Sequence, residues 1–172
     1  MVFATPPTEL VDYSSSWTLA SFEFPKTITM IGHYCLRDHK MEELVIPSHV
    51  KYVGGYFSRD ASKLKRVFFE AGAATRNLGH GFSNCNVLEE IVFPETTTEL
   101  NISVGMYSPG LKKVVIPAMN PPRVVGLDDP DVALHWGDPP DECRIYVPAE
   151  AVDTYKKAQS WHHYADRILP IP

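Results

Sequence analysis

The sequence is short of cysteine, with Cys35, Cys85 and Cys143 alone in 172 residues. An odd number of thiols cannot all pair within one chain, and none sits in a CxxC, so neither a zinc site nor a thioredoxin-like motif is read. Free cysteine behaves as a small apolar side chain, and all three are expected to be buried and inert. Cys85, three residues before Leu88, falls where a small buried residue suits a turn. No apolar run approaches the roughly 18 residues that cross a bilayer. The opening MVFATPPTELVDYSSSW has no basic stretch ahead of an apolar one, so it carries no secretory signal. A cytosolic chain and a trimmed mature form with an added Met1 both fit. A basic excess is missing too: 16 Lys and Arg face 21 Asp and Glu, a net charge of −5. That argues against nucleic acid, whose phosphates favour a basic surface.

Catalytic signatures are also lacking. The chain has no GxSxG, no GxxxxGK[ST], no HExxH and no GxGxxG. His33 and His80 each follow a repeated glycine, which marks a repeat position rather than a site. His162 and His163 are adjacent, and neighbours on a helix point about 100° apart, a poor chelating geometry. The run Asp128-Asp129-Pro130-Asp131 lacks the ligand spacing and glycine of a calcium loop and is read as a solvated turn. No enzyme, metal or cofactor is expected.

What the sequence has is proline, fifteen in all, and a repeated phrase that explains part of that count. Leu88 to Pro94 reads LEEIVFP. Met41 to Pro47 reads MEELVIP, Leu64 to Glu70 LKRVFFE, and Leu111 to Pro117 LKKVVIP. LASFEFP, Leu19 to Pro25, is a weaker early copy, and RIYVP, Arg144 to Pro148, a truncated last one. The closing positions 25, 47, 70, 94 and 117 are 22, 23, 24 and 23 residues apart. A period in the low twenties with apolar residues at i, i+3 and i+5 is the signature of a leucine-rich solenoid. The expected fold class is an α/β-type leucine-rich-repeat solenoid. It has a short parallel strand in each coil of about 23 residues, few helices and a helical C-terminal cap. The length suits one domain over 1–172. Residues 1–18, anchored by Tyr13 and Trp17, form a lead-in; 19–148 carry the repeats and 149–169 the cap.

Within a phrase, period-2 alternation turns Leu88, Ile91 and Phe93 inward and Glu90 and Val92 outward. Proline closes the strand because it has no N–H for the ladder. The second half of each unit has an apolar residue and glycine: Ile31-Gly32, Val53-Gly54, Leu78-Gly79 and Val104-Gly105. Glycine there serves positive φ or close backbone approach. Tyr34, Phe57, Phe82 and Tyr107 follow and are expected to fill the core. The fourth unit has a longer stretch from Pro94 to Gly105, so TTTEL at 96–100 is expected to bulge outward, as drift or as a binding loop. From Pro121 to Glu142 the period breaks into a longer coil. After Pro148, Val152, Tyr155 and Ala158 share a helical face, and Trp161, Tyr164 and Ile168 continue the seal.

Stacked in register, strands lie about 4.8 Å apart. The two positions after each leading residue then read Glu42-Glu43, Lys65-Arg66, Glu89-Glu90 and Lys112-Lys113, followed by Arg144. The signs alternate, which favours one register over a slip by one repeat. At the last junction Lys112, Lys113 and Arg144 form a small basic spot. The next outward position gives Val45, Phe68, Val92, Val115 and Tyr146, an apolar row across about five strands, or roughly 19 Å. Such a row either reflects the strand preference of branched and aromatic residues or is a recognition surface. Phe68 and Tyr146 are its candidate anchors for a protein partner.

The repeat form LxxhxhP…hGxxhF, with cysteine before the next leucine as in GFSNCNVLEEIVFP, resembles the BspA-like leucine-rich-repeat proteins. The ending YVPAEAVDTYKKAQSWHHYADRI is similar to that family's terminal cap. The resemblance covers about residues 19–169. It implies an exported or surface-attached protein of host-associated bacteria that binds host proteins, glycans or other bacteria without catalysis. A structural or self-assembly module that packs through its apolar strand face is the alternative.

Overall fold

The computed structural model describes residues 9–10, 19–73, 81–101, 107–125 and 142–172. The elements come in the order β1 (Glu9–Leu10), β2 (Met30–Ile31), β3 (Glu43–Ile46), β4 (Tyr52–Val53), β5 (Arg66–Phe69), β6 (Glu90–Val92), β7 (Glu99–Asn101), β8 (Lys113–Val115), β9 (Arg123–Val125) and β10 (Arg144–Val147), then α1 (Val152–Lys157) and β11 (Ile168–Pro170). Short 3-10 turns flank α1 at Ala149–Ala151 and His162–Arg167.

The phrases build a six-stranded sheet in the order β11-β10-β8-β6-β5-β3, with each neighbour parallel. The second halves of the units, joined by β1 from the lead-in, form two smaller parallel sheets, β1-β2-β4 and β7-β9. Alternation sets burial along each phrase. Leu44, Val67, Ile91, Val114 and Ile145 are buried at matching register positions, with the intervening residues facing out. Residues from the smaller sheets, Ile31, Val53 and Leu100, join the same apolar cluster, which continues to Trp161 and Ile168. Phe57 and Phe82 meet edge to face inside it, 5.2 Å between centroids, an arrangement that adds to the area they bury.

Several expectations are corrected. The early copy at 19–25 forms no strand. It has no β-branched residue, and Phe22 and Phe24 pack edge to face at 4.8 Å, half-buried against the core. TTTEL does not bulge outward. Glu99–Asn101 pairs with Arg123–Val125, Leu100 is fully buried, and the buried Thr97 hydroxyl donates to the Pro94 carbonyl at 2.7 Å. Burial of Leu100 with an internally satisfied threonine outweighs the polar look of the run.

At the corners, positive φ and close approach fall to different residues. Positive φ falls on Asp38, Asp60, Asn84 and Tyr107, each three or four residues ahead of a phrase, and on Tyr34 and Tyr56. Gly54 serves close approach instead: a Cβ there would meet the carbonyl carbon of Gly32 and the amide nitrogen of His33, both at 2.7 Å. Of the four expected core aromatics, Phe57 and Phe82 are buried, whereas Tyr34 is 41% and Tyr107 65% exposed. Tyr34 stacks on Tyr56 at the surface, centroids 5.0 Å apart and planes 9° apart.

The C-terminal segment is mixed rather than wholly helical. Its one α-helix is six residues long, and Ile168–Pro170 adds a strand beside β10. Tyr155 and Trp161 are buried. The Tyr155 hydroxyl donates to the Ala118 carbonyl and the Trp161 indole N–H to the Pro122 carbonyl, both at 2.9 Å. Tyr13, Trp17, Leu78-Gly79, His80, Val104-Gly105 and the Asp128–Asp131 run lie outside the described residues.

Candidate strand-face binding site

The five residues of the apolar row come together as the register requires. Val45 pairs with Phe68, Phe68 with Val92, Val92 with Val115, and Val115 with Tyr146. Val45 is 46% exposed and the other four are half-buried. The row gains a sixth member at the far edge, where Tyr146 pairs with Leu169, itself half-buried. Leu169 was missed because 149–169 read as helix. Ile168-Leu169-Pro170 resembles a phrase ending, but its proline pairs with Val147 and so comes one position early, which turns Leu169 outward where the phrase form would have turned it inward.

Two and three positions earlier along the strands runs the charged border. Lys65 Nζ meets Glu42 at 2.9 Å, Arg66 meets Glu43, Lys112 Nζ meets Glu89 at 3.2 Å and Lys113 Nζ meets Glu90 at 2.7 Å. Among the described residues the bridges thus join strands two at a time: β3 with β5, and β6 with β8. The hydrogen bond from Lys65 and its positive charge hold the Glu42 carboxyl below its usual range. These exposed pairs contribute little energy each and act chiefly on register. The basic spot at the last junction is tempered, because Lys113 Nζ also lies 5.7 Å above the Tyr146 ring. One flank of the row is therefore lined by matched charge.

Elsewhere, the thiols and one histidine are buried. Cys35, Cys85 and Cys143 are free and buried. Burial pushes the Cys85 thiol up to about 12 and the Cys143 thiol up to about 11, which leaves little thiolate to react. Cys85 donates to the Ser58 carbonyl at 3.3 Å. His39, not singled out by its sequence context, is fully buried. Its Nδ1 accepts the Met41 N–H at 3.1 Å, so Nε2 carries the proton and donates to Ser58 Oγ at 2.8 Å. Burial, aided by neighbouring Lys40, lowers its pKa to about 4. With no exposed surface, His39 and Ser58 brace the core between two coils. No group of three or more metal-ligating side chains occurs among the described residues, and none of their helices is long and apolar enough to cross a membrane.

A family model described as BspA type leucine rich repeat region matches residues 12–120 in six copies. That match starts before the first phrase and stops short of the 121–172 segment. No curated protein matches the chain.

Proposed function

Because the chain belongs to the BspA type leucine-rich-repeat family, we propose that it is a non-catalytic binding module, wound as a solenoid, that holds a protein partner against its strand face. The observation that carries this reading is the unbroken register of Val45, Phe68, Val92, Val115 and Tyr146 across five strands. An ordered apolar row with a matched-charge border suits a partner that lays an apolar ridge along it and tolerates polar groups at the rim. Phe68 and Tyr146 are the anchors, since aromatic side chains dominate interface energetics. The setting we assign is the cell surface or the extracellular space, where members of this family often work.

The test is binding of the purified chain to immobilised host matrix proteins, beside Phe68→Asp checked for folding by circular dichroism. Loss of binding in a folded Phe68→Asp supports the reading; equal binding defeats it. Extension of the row by Leu169 onto the last strand favours a second reading, self-association through the same face. A sizing column on which the wild type elutes as a dimer and Phe68→Asp as a monomer would select that one.

A further inference from the structure

We infer that a cleft on another side of the molecule, between the turns at 94–98 and 117–121, binds a neutral sugar ring. The strands on either side of these turns are paired: the Phe93 N–H donates to the Val115 carbonyl and the Arg123 N–H to the Thr98 carbonyl, both at 2.9 Å. Between those points the two turns part and leave an open cleft of about 390 Å³, within the range of small-molecule sites.

Earlier coils close the same gap with side chains. His49 Nε2 donates to the Pro25 carbonyl at 3.1 Å, Glu70 Oε2 accepts the Ser48 N–H at 2.9 Å, and Lys51 Nζ reaches the Gly72 carbonyl at 3.1 Å. No hydrogen bond joins 94–98 to 117–121 among the described residues. The second wall is also one residue longer than its predecessors. Six positions separate Pro117 from the next strand at Arg123, against five from Pro25, Pro47 and Pro94 to Met30, Tyr52 and Glu99. The surplus is spent in Asn120-Pro121-Pro122, which pushes that wall away.

Both walls are held in place before any ligand arrives. Thr97 fastens the first to the Pro94 carbonyl, while Tyr155 and Trp161 fasten the second at Ala118 and Pro122. A preorganised cleft loses less on binding than a flexible loop.

The lining selects the ligand class. Glu95, Thr96, Thr98 and Asn120 offer a carboxylate, two hydroxyls and an amide, while Met119 and Pro121 supply apolar surface. Among the described residues no lysine, arginine or histidine lines the cleft, which disfavours phosphate, sulfate or a sialic acid carboxylate. A lone exposed carboxylate is a weak hold for a cation. Only a polyhydroxylated ring uses the whole set: hydroxyls donate to Glu95 and the Asn120 carbonyl, accept from threonine and the Asn120 amide, and the C–H face lies on Met119 and Pro121.

The test is an amide-resolved NMR titration of the full chain with methyl glycosides of glucose, galactose and mannose and with N-acetylglucosamine. N-acetylneuraminic acid and lysine methyl ester serve as charged controls. Expected are shifts confined to 95–98 and 118–120 with at least one neutral glycoside. They should vanish in Asn120→Trp, which fills the cleft from an exposed position, and weaken about tenfold in Glu95→Gln, the worth of roughly one hydrogen bond to a charged group. Phe68→Asp should leave them unchanged, which separates this site from the strand face. No response to any neutral glycoside, a stronger response to either charged control, or a response retained in Asn120→Trp would overturn the inference.

Discussion

His39 Nε2 and Ser58 Oγ meet at 2.8 Å between successive coils, with neither residue exposed to water. The histidine is held neutral, its pKa lowered from 6.5 to about 4 by burial and by Lys40. In the window between those values the unfolded chain binds the proton and the folded chain does not. Stability therefore rises with pH through that window and is lost as pH falls. The loss at pH 4 is on the order of 3 kcal/mol. Urea unfolding at steps from pH 7 to 4 should show this slope and should lose most of it in His39→Gln. The depressed carboxylates Glu42, Asp60 and Glu70 add their own loss only lower, as pH falls through and below the usual carboxylate range.

Gly54 tests the spacing of the coils. An added Cβ meets backbone of the preceding coil at 2.7 Å, and backbone cannot swing aside. Gly54→Ala should cost at least about 1–3 kcal/mol, as overpacking does. Gly72 has φ +86° but open space around it, so Gly72→Ala should cost only the roughly 1–2 kcal/mol of a left-handed backbone. Thermal melts that rank the two the other way would remove the close-approach account.

Inward and outward positions of one strand should separate cleanly. Ile91 is fully buried in the core and Val92 half-exposed on the row. Ile91→Ala should lose about 2–5 kcal/mol through transfer and cavity, lowering Tm by about 2–4 °C for each kcal/mol. Val92→Ala should lose a small fraction of that and should show its effect in partner binding.

The charged border is expected to be screened. Lys65→Glu breaks the bridge to Glu42 and puts like charge beside Glu42 on one side and Glu89 on the other. A small drop in Tm at low salt should shrink near about 1 M salt, where the Debye length falls to about 3 Å. A salt-independent drop would mean that the lysine stem, not its charge, does the stabilising.

The phrases, their period and their inward faces were legible in the sequence because each is a local pattern. Alternation needs only neighbouring residues, and register follows once equal phrases stack. The row from Val45 to Tyr146 was legible for the same reason. The two-by-two bridging of the charged border was not, because a lysine flanked by two acidic strands has partners on both sides and geometry chooses one. The C-terminal strand was hidden by the helix before it, and the proline of Ile168-Leu169-Pro170 falls one position earlier in the register than a phrase's closing proline.

Sequence by itself determined the repeat, the buried face of each strand-forming phrase and the residues that share the outward row, since period and polarity act along the chain. Tertiary structure alone decided the rest. It laid Gly54 against Gly32, paired His39 with Ser58, turned TTTEL inward on Leu100, and opened a cleft where the Asn120-Pro121-Pro122 turn runs one residue long. Each of these depends on what one coil presents to the next, a contact between residues more than a dozen positions apart that no local pattern records.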